Sequence, residues 1–218
     1  MVTYKLSKSG NAIYYSHHDM MRLFILSIKR AGINIPKNKS GNYKIYFSPA
    51  TCIGVSSDAE FVEIDTDITA HKLAEILSTY LPDGIKIESE YDTKSRINIS
   101  KISCLAKYEV KISLVDGMQK KITEILSNGD FKIQLKMNNE VSNCNVKELV
   151  HNFYFDKGNL YIISKVGDEN LNVVQTIAQV LKAVKLHDVD FSIKKTNLFA
   201  EIDGRYHDIE LIVLRNSR

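Results

Sequence analysis

The residues whose types and spacing suit chemistry lie in YYSHHDMMRLFILSIKRAGI, Tyr14 to Ile33. Ser16, His17, His18 and Asp19 stand directly before a long apolar run. A histidine changes charge near neutral pH, so His17 suits general acid or base work on a phosphate. If the apolar run is a helix, its start is an anion site, because the backbone N–H groups of Ser16, His17 and His18 are free to point at a ligand. His17, Lys8 and Arg30 are then the groups expected to face that anion. The same residues also have a complete structural reading. Ser16 is a good N-cap, and Asp19 at the third helical position completes an aspartate form of the capping box. Tyr15 and Met20 are placed as the hydrophobic staple around them. No companion motif is present: the chain has no G-x-S-x-G, no Walker loop and no H-x-x-x-H. His17 and His18 are adjacent and point to different helix faces, so they do not chelate one metal. Cys52, Cys104 and Cys144 lack C-x-x-C spacing. Neither a metal nor a cofactor is expected.

Two further segments mix cations with aromatic or apolar residues. NKSGNYKIYF carries Lys39, Tyr43, Lys44 and Tyr46, and IKKTNLFAEIDGR carries Lys194 and Lys195. Basic residues beside aromatics on a strand grip and stack single-stranded RNA, although alternating aromatics also fill cores. GVSSD, Gly54 to Asp58, is either an anion-facing turn or a plain strand connection.

These candidates need elements to hold them. Met21, Phe24, Ile28 and Ala31 recur at helical spacing, with Met20, Leu23, Ile25 and Leu26 widening the face. Lys29 and Arg30 suit the last turn, and Gly32 suits the left-handed position beyond it. Before this helix VTYKLS alternates as a strand, with AIYYS continuing extended; after it YKIYFSPATCIGV and EFVEIDTD read as strands around a turn region, Gly54 to Ala59. AHKLAEILSTYL, capped by Thr69 with Leu73, Ile76, Leu77 and Tyr80 on one face, is a second helix, and IKIESEY a closing strand. The second half offers KYEVKISL, the helix MQKKITEILSNG, the strand FKIQLKMN, a hairpin turning at DKGN, the helix NVVQTIAQVLKAVKL, the strand VDFSIKKTNLFAEID and a terminal hairpin strand YHDIELIVL. The expected fold class is α+β, with two tandem ferredoxin-like (βαββαβ) halves and mostly antiparallel sheets. The expected boundaries are 1–93 for the first half, 94–105 for a polar linker, and 106–218 for the second half with its C-terminal hairpin.

Composition bounds the rest. The chain has 218 residues, 44% hydrophobic and 25% charged, which suits a globular protein with a real core. Its apolar runs fall far short of the roughly 20 residues of a membrane span. MVTYKLSKSG has no apolar core of a secretion signal. Three widely spaced cysteines suit reduced thiols, so a cytoplasmic location is expected. A net charge of +3, from 29 basic and 26 acidic residues, is too mild to announce nucleic acid by itself.

The motifs together resemble a known family. A strand ending in Ser7, Lys8 and Gly10, then Ser16, His17 and Asp19, then a helix ending Lys29, Arg30, Ala31 and Gly32 is similar to the opening of the DUF2344 family, the radical SAM-linked proteins. Ile53, Gly54, Ser57, Glu60 and Asp65 match the family's later Leu-Gly-x-x-Ser stretch. NVKELV and SIKKTNLFAEIDG resemble its second half. The resemblance implies association with a separate radical SAM protein and no SAM chemistry in this domain. Taken with the tandem ferredoxin-like pattern and the anion-ready helix start beside basic segments, the expectation is a non-catalytic accessory module that presents or recognises RNA. The chain lacks the C-x-x-x-C-x-x-C cluster of radical SAM chemistry. Where the family carries a Gly-Phe-Asn-Pro-His-Pro-like segment this chain reads PKNKSGNYKIYF, so any site built there is altered. Tandem ferredoxin-like halves also resemble the Cas6-type RNA endoribonucleases. That resemblance implies metal-independent cleavage with His17 as acid or base, but the glycine-rich C-terminal loop of those enzymes is missing. A purely structural interaction domain is the third expectation.

Overall fold

The structure, a computed structural model, describes residues 1–114, 117–137, 140–167, 171–186 and 189–217. The first part of the chain runs β1 (Val2–Lys8), a 3-10 turn (Gly10–Tyr14), α1 (His17–Arg30), β2 (Ile45–Phe47), β3 (Ser56–Ile64), α2 (Ala70–Ser78) and β4 (Ile85–Asp92). A short α3 (Ile99–Ile102) leads into β5 (Ser103–Ile112), α4 (Met118–Ser127), β6 (Lys132–Met137), β7 (Glu140–Asn145) and α5 (Val146–Leu149). Then come β8 (Val150–Asp156), β9 (Asn159–Lys165), α6 (Val173–Ala183), β10 (Phe191–Ile202), β11 (Arg205–Asp208) and α7 (Ile209–Asn216).

The protein is mixed α and β, built on one large, mostly antiparallel sheet in the order β4-β1-β3-β10-β5-β9-β8. Strand β2 pairs one end of β3, through Ile45↔Ile64 to Phe47↔Val62. Strand β10 pairs the other end, through Lys194↔Ser56 and Lys195↔Ser57. This short junction is parallel, and it joins the two parts of the chain into one sheet. The polar segment after β4 passes the opposite, β2-paired end of β3. Buried Glu63 accepts hydrogen bonds there from the amides of Ile97, Asn98 and Ile99 at 2.6, 3.1 and 2.9 Å.

Two apolar clusters fill the space between sheet and helices. One gathers Tyr4, Leu6, Phe24, Ile28, Leu73 and Leu77. The other gathers Tyr108, Val110, Ile162, Ile177 and Leu181. In α1 the buried stripe runs through Met20, Phe24 and Ile28, not through Met21 and Ala31, and Leu26 faces solvent. Tyr80, expected on the buried face of α2, is exposed as well, and the Thr69 side chain makes no capping bond.

Four segments differ from the sequence reading. AIYYS bends into the 3-10 turn instead of continuing extended. Of YKIYFSPATCIGV only Ile45–Phe47 is strand, and Ser56 to Ala59, expected as turn, already belongs to β3. Of FKIQLKMN, Lys132–Met137 pairs with β7 in a separate two-stranded hairpin and does not join the main sheet, and Asn138 lies outside the described residues. The terminal strand YHDIELIVL is four residues of β11 followed by α7. The cause is Asp208, whose carboxylate accepts from the Glu210 amide at 2.8 Å and starts a helix that buries Ile209 and Val213.

Candidate functional site

The opening of α1 forms as its sequence dictates. The Ser16 hydroxyl accepts from the Asp19 amide at 3.2 Å, and the Asp19 carboxylate accepts from the Ser16 amide at 2.9 Å and from its hydroxyl at 2.6 Å. These bonds hold the exposed Asp19 carboxyl below the usual carboxylate range. They also consume the Ser16 N–H, which is therefore not available to an anion as expected. The amides of His17 and His18 have no hydrogen bond among the described residues. At the far end Gly32, with φ +68°, closes a Schellman motif: Gly32 donates to Lys29 and Ile33 to Ile28, each at 3.1 Å.

Beneath this helix start lies a buried polar row. On the helix-facing side of the sheet Lys8 of β1 sits opposite Ser57 of β3, and Ser57 sits opposite Lys195 of β10. Two irregularities help place them. Between the pairs Leu6↔Glu60 and Lys8↔Ser57, β1 advances two residues and β3 three, so Ser57 and Glu60 fall on the same face. A second register shift follows Lys195, between Lys195 and Asn197. The result is two ammonium groups and one carboxylate at the parallel junction. Lys195 is 1% exposed and pairs with Glu60 at 2.8 Å. The Thr51 hydroxyl donates to the same Glu60 oxygen at 2.5 Å. Lys8 is 3% exposed and has neither an ion pair nor a hydrogen bond with a described residue.

The electrostatics follow from burial and this surplus. Burial pushes the Glu60 carboxyl up, but Lys195, with the Thr51 and Ser57 hydroxyls, pulls harder and holds it below its ordinary value. Burial lowers Lys8; the Lys195 ammonium pushes the same way and Glu60 resists. Burial also lowers His17, opposed by Glu60 and assisted by His18, Lys195 and Lys8, so its imidazole is neutral at pH 7. The His17 ring stands edge-on to Phe47 at 5.9 Å, and Phe47 to Phe24 at 5.4 Å. Lys8, Tyr15, His17, Met20, Phe47, Thr51 and Glu60 enclose a cavity of about 10 Å³, room for about one water molecule. Cys52 lies behind it, its thiol pushed up by burial and set against the Val173 amide of α6.

The structure thus brings together Lys8, His17 and Lys195, with Ser16 at the rim. His18 is exposed beside His17, ring centroids 6.3 Å apart. Arg30 is exposed at the opposite end of α1, about 20 Å away along the axis, and does not face the site. Lys39 is exposed on the Lys37–Tyr43 loop, where Lys37 and Lys29 lie over the Tyr43 ring at 4.9 and 5.8 Å. Lys44 pairs with Asp65 at 2.8 Å, and the Arg96 guanidinium covers the Tyr46 ring at 3.5 Å. Lys194 pairs with Asp58 on the other face of the sheet. Thr51 and the Glu60–Lys195 pair were not read as site chemistry. Ser57 and Glu60 were legible only as positions on which the family resemblance rests, along with Lys8 and His17. Among the described residues no group of three or more His, Cys, Asp or Glu is placed to hold a metal ion.

Fold and site define an α and β protein on one large sheet, with a lysine-rich polar seam under a capped helix. The chain belongs to the family described as "Uncharacterized protein conserved in bacteria (DUF2344)", whose model matches residues 2–183. No curated protein matches it. Among solved structures it is similar to a chain of "Crystal Structure of a Cbf5-Nop10-Gar1 Complex", with 10% identity and a TM-score of 0.47, covering 90% of this chain and 48% of that one. This chain spans about half the length of that neighbour. It is also similar to an unknown protein from Galdieria sulphuraria, with 15% identity and a TM-score of 0.28, covering 89% and 96%. Both are too distant to inform on function. No helix among the described residues is long and apolar enough to cross a membrane.

Proposed function

We propose that this chain is a non-catalytic accessory module that binds an anionic group, the phosphate of RNA, at the seam between β1, β3 and β10. The observation that carries the reading is Lys8, a residue 3% exposed that lines the cavity under α1 near Glu60 and makes no ion pair or hydrogen bond with a described residue. A charge largely withdrawn from water and only partly offset by a neighbouring carboxylate is costly to keep. A fold keeps such a group where it has a task. An anion reaches Lys8 with one oxygen in the cavity, and the rest of it lies against the amides of His17 and His18. In this reading the sheet is two ferredoxin-like halves joined edge to edge. The orders β4-β1-β3-β2 and β10-β5-β9-β8 follow the same path, with β6 and β7 inserted in the second. The radical SAM partner rests on the family resemblance alone, and three free thiols fit a cytoplasmic setting.

The test is the affinity of the full chain for a labelled single-stranded RNA, read by anisotropy at several salt concentrations. Lys8→Met is expected to weaken binding about tenfold and to lower the salt slope by about one. Unchanged affinity in a folded Lys8→Met variant overturns the reading. His17, neutral and beside Lys8, favours one rival: RNA cleavage without metal, with Lys8 steadying the phosphorane charge. Incubation with RNA in a chelator decides it, because absence of any product that His17→Ala abolishes removes the enzyme from consideration.

A further inference from the structure

The face of the sheet opposite the Lys8 cavity carries a second constellation. Along β5 the residues Tyr108, Val110 and Ile112 are buried with the core, so Lys107, Glu109 and Lys111 stand on the other side. Tyr161 of β9 lies opposite Glu109, and Tyr154 of β8 opposite Tyr161. The two tyrosine rings are stacked, 5.0 Å between centroids and 13° between planes. Lys107 sits 5.1 Å from the Tyr161 ring and 5.6 Å from the Tyr154 ring. The Tyr161 hydroxyl donates to Glu109 at 3.1 Å and the Asn159 amide to the same oxygen at 2.8 Å, which fixes the inner ring and occupies the carboxylate. Tyr154 is 38% exposed on the last strand of the sheet, Asn152 on the same strand is exposed, and so are Lys111 and Ser192 further along the same face on β5 and β10. Neither Lys107 nor Lys111 pairs with a carboxylate among the described residues. They lie about 13 Å apart along β5, one on each side of the ring row.

We infer that this face is a base-stacking platform for single-stranded nucleic acid, with Tyr154 offering its outer ring face to a base and Lys107 and Lys111 meeting the flanking phosphates. Aromatic rings on an open strand face with unpaired cations beside them suit that ligand, because every base has a π-face and every linkage a negative charge. A stacked pair serving only the sheet explains the tyrosines and the Lys107 contact with them, but not an exposed outer ring face with two lysines that lack carboxylate partners on its strand face. The inference is independent of the Lys8 cavity, which lies on the opposite face and reads phosphate without bases.

The chain contains no tryptophan, so Tyr154→Trp places a lone reporter on the platform. Titration with an oligouridylate of about a dozen nucleotides is expected to quench its emission saturably, and an abasic oligomer of equal length to leave it unchanged. In the Lys8→Met background, which silences the cavity, Tyr154→Ala is expected to weaken oligouridylate binding about tenfold or more, with Tyr154→Phe retaining the affinity of that background. Lys8→Met is expected to leave the quench intact, which separates failure of the cavity reading from failure of this one. Absence of quenching, equal response to the abasic oligomer, or unchanged affinity of a folded Tyr154→Ala variant each overturns the inference.

Discussion

At the scale of the residue, the two buried lysines have opposite energetic roles. Lys195 neutralises Glu60, so Lys195→Met takes away its ion-pair partner, leaves it only the Thr51 and Ser57 hydroxyls and the more distant Lys8, and is expected to destabilise the fold by about 3 kcal/mol. Lys8 makes no ion pair among the described residues and shares Glu60 only at longer range, so Lys8→Met relieves its burial and its repulsion with Lys195 and is expected to stabilise by about 1 kcal/mol. Urea denaturation of both variants checks the contrast; equal destabilisation contradicts it. His17 supplies a pH dependence. Its folded pKa lies below the ordinary 6.5, so below pH 6.5 the unfolded chain takes up a proton that the folded chain refuses. The stability from neutral His17 is full above that pH and is lost as pH falls toward the lowered value. Exposed His71 is shifted upward by Glu90 and works in the opposite sense. Subtracting the profile of His17→Asn from wild type isolates the effect, and a flat difference between pH 5 and 7 argues against it. Part of this was legible in the sequence: Ser16, His17 and Asp19 announce a capped helix with a titratable group at its mouth. Lys195 was not legible as a core residue. A lysine in an alternating strand reads as solvated, and nothing in KKTN reveals that its neighbour is a bulged strand carrying Glu60.

At the scale of the element, local chemistry was read well where caps and glycines mark ends. The helix from His17 to Arg30 carries its N-cap, capping box and Schellman glycine in plain order. Reading failed where β-branched residues sit in a helix. IELIVL has the look of a strand, and only the carboxylate of Asp208 turns it into α7. A tight approach near the site gives a sharp element-level test. Gly84 has φ +87°, and a Cβ there meets the Ser9 carbonyl oxygen at 2.3 Å, while the Ser9 amide bonds Gly84 at 2.8 Å. Gly84→Ala is expected to cost more than about 3 kcal/mol, by strain and displacement of the turn that carries the chain from β1 to α1. Gly32→Ala, equally left-handed but facing open space, is expected to cost about 1 kcal/mol. Thermal melts of the pair measure the difference, and similar losses contradict the steric account.

At the scale of the whole molecule, the decisive feature is the parallel contact of β3 with β10, far apart in sequence and only two residue pairs long. Periodicity shows that these strands exist but not that they meet. So the sequence suggested the order of elements and left their union unread. The junction is tied further by Lys195–Glu60, by Ser56 donating to the Ile193 carbonyl, and by Lys5 reaching Glu210 of α7 at 2.5 Å. These ties cross between early and late parts of the chain, so unfolding is expected to be one cooperative transition. Far-ultraviolet ellipticity and tyrosine fluorescence in urea should coincide; two separated midpoints contradict the shared sheet as a cooperative unit. The site needs this union, because Lys8 and Glu60 come from one part and Lys195 from the other.

The central claim is that the Lys8 seam holds an anion. The most direct measurement compares melting temperatures in phosphate and in chloride at equal ionic strength, for wild type and Lys8→Met. Phosphate strengthens burial in any protein by exclusion, so the quantity that matters is the difference between the two proteins. A ligand bound only by the folded state raises its melting temperature. The account predicts a larger rise for wild type than for Lys8→Met, growing with phosphate concentration. An identical rise in both contradicts it.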